Sequence, residues 1–280
     1  AKGVPVLLSM LVLVFEARES AARRGDKASL PASRLELYEQ AIRAVVEKVF
    51  PGEPEEQQTA WGMLQHVAIA NMQVLRREFD SAQVAKALGE PTQLAMWQRL
   101  QEQRNLPLVK VLTEAEASSG TPASFQFKHL SFQEGLWALH MVKAAHSPEV
   151  CDMFRDAGGL VRFLGETNHA NTCRIGGQEL GAAVAGVLGE WRLKQQLLFL
   201  NTMQNLQLLL PGAVRKLTVL EIGGAIATST SEALAQSAAL QELDVGLEDP
   251  PPFLKTLAAG PNCVLRSLRL SSYGESAAAP

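Results

Sequence analysis

The sequence predicts a mostly helical chain with little β structure. A helical front half carries a two-stranded hairpin, and a tail alternates strands with helices. Three observations lead there. Apolar residues recur at the 3.6-residue period between 35 and 88 and again after 130. The period changes to two only around 106–112 and 125–128. The pattern Leu-x-x-Leu-x-apolar occurs three times after residue 216, at intervals of 23 and 25 residues.

Taken in order, Val4 to Phe15 is the most apolar stretch. Its length falls short of the roughly 20 residues that span a bilayer. Lys2 followed by such a run also fits a signal peptide. However, Phe15-Glu16-Ala17-Arg18 stands where a small-x-small cleavage site belongs. The favoured reading is a buried helix running into the charged EARESAARRGDK, with Pro5 in its first turn. Ser33-x-x-Glu36 is a capping box that opens a helix with Leu35, Tyr38, Ile42, Val45, Val46 and Val49 on one face. Pro51-Gly52 ends it. A second helix runs through Trp61, Leu64, Ala68, Met72 and Leu75. Phe79 to Val84 reads as a hydrophobic staple around an Asp80 N-cap with Gln83 at N3, opening a short helix toward Leu88.

Leu106–Leu112 and Phe125–Lys128 read as two strands joined by a polar loop with Gly120 and Pro122. Helices followed by such a wing predict a winged-helix arrangement. Ser131 and Glu134 form another capping box, opening a helix through Leu136, Leu139 and Val142. Residues 148–212 read as helical and rich in small residues. Their glycines precede no Gly-Lys-Ser/Thr, so close helix packing is the expected use rather than a phosphate loop. At the tail, Leu217/Leu220/Ile222, Leu240/Leu243/Val245 and Leu265/Leu268/Leu270 read as leucine-rich repeats. Ser231–Ala239 is the helix candidate between them, and the three prolines at 250–252 read as a turn. The usual Asn/Cys step is missing, which leaves an ordinary α/β tail as the alternative.

Composition removes several functions. The formal net charge is −3, whereas a general nucleic-acid binder needs a basic footprint. The helix over 35–49 carries Arg34, Arg43 and Lys48 against Glu36, Glu39 and Glu47, which is no recognition helix. Arg18, Arg23, Arg24 and Lys27 read as a solvated helix end. Cys151, Cys173 and Cys263 are far apart, and there is no Asn-x-Ser/Thr. Both point to a reducing, cytoplasmic setting without a disulfide framework. The five histidines show no metal-ligand spacing, and no Gly-x-Ser-x-Gly occurs. A start at Ala1 and the lack of a polar capping repeat before Pro280 suggest a fragment.

At residue level the chain resembles the C-terminal part of NACHT-type STAND NTPases, the group of the NOD-like receptors. Gly3 to Leu11 (GVPVLLSML) resembles the G-x-P segment that follows their nucleotide-binding core. PASRLELYEQAI at 31–42 resembles the opening of their winged-helix domain, and 61–88 its middle. FQFKHLSFQEGLWALHM at 125–141 resembles its most recognisable segment. Gly135 departs by standing where the family has an aromatic, and Trp137-Ala138 where it has a small pair. The resemblance implies four regions. They are the end of a helical subdomain after a missing nucleotide-binding core (1–27), the winged-helix domain (28–146), a helical domain (147–212) and leucine-rich repeats (213–280).

It also implies a role for two residues. His129 would contact the β-phosphate of ADP and hold the closed state, and Pro5 would pack by the adenine. From the residues alone, Lys128 and His129 precede a helix N-terminus, which favours anions. A histidine merely bonded to local backbone is the competing reading. The sequence holds no G-x-x-x-x-G-K-[ST] and no apolar run ending in paired acids. This chain is therefore expected not to hydrolyse ATP and to carry no cofactor or metal of its own, with ATP or ADP bound in the full-length parent. Expected partners are the upstream nucleotide-binding domain, a self-oligomer on activation, and a protein or microbial ligand on the repeats. No nucleic acid or membrane span is expected. A nucleotide-independent interaction scaffold is the alternative function.

Overall fold

The computed structural model describes residues 4–23, 29–115, 121–154, 163, 169–188, 191–194, 216–222, 231–232, 234–235, 240–247, 250–260 and 265–272. They are mostly helical with a few short strands, as the period analysis predicts. The chain divides into two compact units, Ala1–His140 and Met141–Pro280. Among the described residues no helix is long and apolar enough to cross a membrane.

In the first unit, α1 (Val4–Arg23) buries Met10 and Val14 and packs on α2 (Arg34–Val49). Ser33 caps α2 by accepting the Glu36 N–H at 3.1 Å. The return half of the expected box slips by one residue, because the Glu36 carboxylate accepts the N–H of Ala32 at 2.6 Å. The face α2 buries is Leu35, Leu37, Tyr38, Ala41, Ile42 and Val46. Pro54 opens α3 (Pro54–Gln73), where the missing proline N–H is no loss. This helix stops before Leu75, which the sequence pattern includes. Leu75 has φ +54°, a left-handed backbone that no helix interior admits.

The Asp80 capping box is complete. Asp80 accepts the Gln83 N–H at 2.9 Å and Gln83 accepts the Asp80 N–H at 3.0 Å. It starts α4 (Ser81–Ala87), with Phe79 and Val84 both buried as a staple requires. A helix the sequence analysis does not predict follows, α5 (Pro91–Glu102), burying Gln93, Met96, Trp97 and Leu100. That spacing is i, i+3, i+4, i+7, so the signal is present in the sequence.

The hairpin forms as expected from β2 (Val109–Thr113) and β3 (Ser124–Phe127), antiparallel with Val111 opposite Phe125. A third strand, β1 (Glu78–Asp80), joins the other side of β3, giving the order β1-β3-β2. Three residues are too few for a periodic signal, so β1 exists only through its partner. Phe79, Trp97, Phe125 and Phe127 form the core beneath the sheet. Trp97 meets Phe125 edge-on at 5.2 Å, and Phe79 lies 5.8 Å from Phe125 and 6.0 Å from Phe127. Helix α6 (Leu130–Lys143) leaves β3 directly.

In the second unit, α7 (Pro148–Phe154) precedes α8 (Ala170–Leu188). Gly177 marks a break inside α8. Gly177 has φ +48° and ψ −138°, a conformation open to residues without a Cβ. Four parallel strands follow in chain order: β4 (Trp191–Lys194), β5 (Lys216–Ile222), β6 (Glu242–Leu247) and β7 (Ser267–Ser272). β4 corrects the expectation of helix through 212, of which 195–212 lie outside the described residues. The three prolines open α9 (Pro250–Ala258) instead of forming a turn, because a first helical turn needs no N–H donors. Of the Ser231–Ala239 helix candidate, 231–232 and 234–235 are described and are helical. Cys263, Arg24 and Lys27 lie outside the described residues.

Strand register corrects the repeat alignment. Leu217 pairs with Leu243 and Leu243 with Leu268, so the first expected motif is three residues out of step. The same ladder reaches back to Trp191. The pattern in step is Leu188/Trp191/Leu193, Val214/Leu217/Val219, Leu240/Leu243/Val245 and Leu265/Leu268/Leu270. Four motifs at intervals of 26, 26 and 25 residues replace three at intervals of 23 and 25.

Cys173 in α8 is fully buried, and burial pushes its thiol from 9.0 up to about 12, against a smaller lowering by Arg174. An unfolded thiol ionises near pH 9 while the folded one keeps its proton. This contribution to stability is therefore complete below pH 9 and drains away as pH rises toward 12, by about 1.4 kcal/mol per unit. Denaturant titrations of the second unit from pH 8 to 11 are expected to show that decline. The Cys173→Ala chain is expected to show a flatter one, and equal slopes would exclude Cys173 as the cause.

Candidate functional site

The expected site centres on the step from β3 into α6. Strand pairing persists to its end, where the Lys128 N–H donates to the Leu108 carbonyl at 2.7 Å. Helix geometry begins two residues later at Leu130, so His129 immediately precedes the helix. Lys128 and His129 are both exposed.

Ser131 is consequently inside the first turn and cannot act as the expected N-cap. Instead the His129 carbonyl accepts the Phe132 N–H at 3.0 Å, closing the turn through backbone. The Ser131 hydroxyl is sealed from solvent and has no hydrogen-bond partner of ordinary geometry. Glu134 is buried, so it is not the exposed return arm of a capping box. No acidic residue lies in the first turn of α6. The positive end of the helix, an exposed lysine and an exposed histidine thus share one corner that favours an anion.

Tyr38 is the floor of this corner. Its ring meets Phe132 edge-on at 6.4 Å, and Phe132 lies 6.1 Å from the His129 ring. Burial pushes the Tyr38 phenol above its ordinary value. The Ser131 hydroxyl opposes that shift, the Glu134 carboxylate reinforces it, and Arg34 opposes it. Gly135 admits the tyrosine: a Cβ built there would lie 2.6 Å from Tyr38 Cδ1. Gly135 is therefore a steric fit between α2 and α6. Gln133, whose role sequence reasoning did not assign, ties α6 to the end of α3. Its Nε2 donates to the Arg76 carbonyl at 2.9 Å and lies 3.2 Å from Met72 Sδ.

Pro5 is the second residue of α1, the position where its missing N–H does no harm. Its side chain lies outside the described residues. The elements that carry Pro5 and His129 are connected, α1 to α2 by packing and α2 to His129 through Tyr38 and Phe132.

On the other side of Lys128, a cavity of about 610 Å³ opens between the end of α5 and β2. Lys110, Lys128, Arg104 and Glu114 line it above Leu106 and Val109. Arg104 and Glu114 form an exposed ion pair at 2.5 Å, a contact of little energetic weight. His129 is not among its lining residues. Among the described residues no group of three metal-ligating side chains comes together.

Compared with known proteins, the chain matches no family model and no curated protein.

Proposed function

We propose that this chain is the regulatory and sensing portion of a nucleotide-switched signalling NTPase of the NACHT-type STAND group. The observation that carries the reading is the exposed His129 at the positive end of α6, beside exposed Lys128, within the segment FQFKHLSFQE. In this reading α3, α4, α5 and the β1-β3-β2 sheet are a winged helix, and the ladder of β4 to β7 is a leucine-rich-repeat array. Both are supported by strand order and register.

Mechanistically, ADP held by a nucleotide-binding domain of the same protein would place its β-phosphate against His129 and its adenine by Pro5. That contact keeps the winged helix docked. Exchange for ATP, or ligand on the repeats, releases it and permits self-assembly in the cytoplasm. The chain itself supplies no hydrolytic machinery in this scheme. Coupling of this kind is typically worth about 1–3 kcal/mol, or roughly 5–150-fold in an equilibrium, a range one phosphate contact can supply.

In the full-length parent, His129→Ala is expected to lose retained ADP and to assemble without added nucleotide. Bound nucleotide after purification and the sedimentation profile measure both. Retained ADP with unchanged assembly would sink the nucleotide role and leave a nucleotide-independent scaffold.

A further inference from the structure

We infer that the cavity between the end of α5 and β2 binds a small phosphomonoester, its phosphate held by Lys110 and Lys128 and its apolar group laid on Leu106 and Val109. This inference is independent of the nucleotide reading. The space measures about 610 Å³, within the range that takes small organic ligands. The described residues that line it run from Gln101 to Lys128, all inside the first unit.

Strand register sets the two lysines side by side. Lys110 stands opposite Gln126, and Lys128, still paired through its N–H to Leu108, is two residues beyond Gln126 on the same face. Diagonal neighbours of this kind are about 7 Å apart. Both residues are exposed. Neither ammonium group has an ion pair or hydrogen bond among the described residues. Like charges this close repel, and an anion between them replaces the repulsion with attraction. The carboxylates that line the cavity do not meet that need. Glu114 is held by Arg104, and Glu102 ends α5, across the cavity from β2.

Two compact ammonium charges call for a compact dianion. A phosphomonoester carries about −1.5 to −2 charges near pH 7, whereas a carboxylate carries one. Beyond the lysines the lining is apolar: Leu106 is 5% and Val109 3% exposed, and Val111 is half-buried. A bare phosphate leaves that surface wet. An ester with a ring-sized apolar group covers it.

The probe is phenyl phosphate, titrated into the 280-residue chain near neutral pH and followed through its own NMR signals. Saturable binding is expected. Inorganic phosphate, which lacks the ring, and phenyl sulfate, which carries one charge, are each expected to bind about fivefold or more weakly. Lys110→Ala and Lys128→Ala are each expected to weaken phenyl phosphate about tenfold or more, and Lys110→Arg to keep most of the binding. Circular dichroism verifies that the variants remain folded. His129→Ala is expected to leave binding unchanged, because His129 does not line the cavity. The same holds for Glu116→Gln, in the hairpin connection outside the described residues. No saturable binding, equal binding of either control anion, or binding that survives Lys110→Ala would overturn the inference. Binding that His129→Ala abolishes would place the phosphate at the start of α6 and overturn it too. Binding that Glu116→Gln tightens about tenfold or more would make the hairpin's own carboxylate the occupant, with the same result.

Discussion

Truncating Phe125 to alanine is expected to destabilise the first unit by about 3–5 kcal/mol, the range for deleting a large buried aromatic. A domain's whole stability is about 5–15 kcal/mol, so this one change removes a large share of it. The residue is fully buried on the central strand, paired to Phe79 on one side and Val111 on the other. Its ring also forms the edge-on contact with Trp97, so its loss opens a void that neither neighbour can fill without leaving its own strand or helix. Native-state hydrogen exchange at the amides of β2 and β3 reads the effect directly. Phe125→Leu, which keeps most of the volume, is expected to cost about 1 kcal/mol. A loss below about 1 kcal/mol for the alanine variant would mean that the three-strand core collapses around the gap.

The second large effect runs against what the resemblance suggests. Replacing Gly135 with phenylalanine would install the aromatic the resemblance leads one to expect, and it would remove a glycine that costs a helix about 1 kcal/mol relative to alanine. The structure predicts the opposite outcome. Even a methyl carbon at 135 lies 2.6 Å from the buried Tyr38 ring, and a phenyl group drives α2 and α6 apart. Overpacking of this kind costs about 1–3 kcal/mol for added methylenes and more for a ring. Gly135→Phe is expected to lower the urea midpoint of the first unit beyond that range. The double variant with Tyr38→Ala is expected to recover part of it. Additive losses in the two single variants would show that the two side chains do not compete for one space.

Much of the front half is legible because its signals are local. The Asp80-Gln83 box closes within four residues, and the α2 face follows from its period. The α5 helix is equally local, yet it escapes the period analysis because its face mixes Gln93 with Met96, Trp97 and Leu100. At the site, the motif marks the right segment, yet Ser131 and Glu134 take other roles. Here the helix boundary lies two residues earlier than expected, which exchanges an N-cap for a first-turn position, and strand pairing at Lys128 sets that boundary.

By itself the sequence determined what depends on neighbours along the chain: caps, helix faces, the hairpin and the apolar alternation of the tail. Only the tertiary structure decided what depends on residues far apart. It placed β1 beside β3, seated Tyr38 against Gly135 and brought Leu217 rather than Leu220 level with Leu243. The physical reason is that a period repeats in every register alike. The choice among registers is made by cross-strand packing and by the space between elements, and neither is written at any single position.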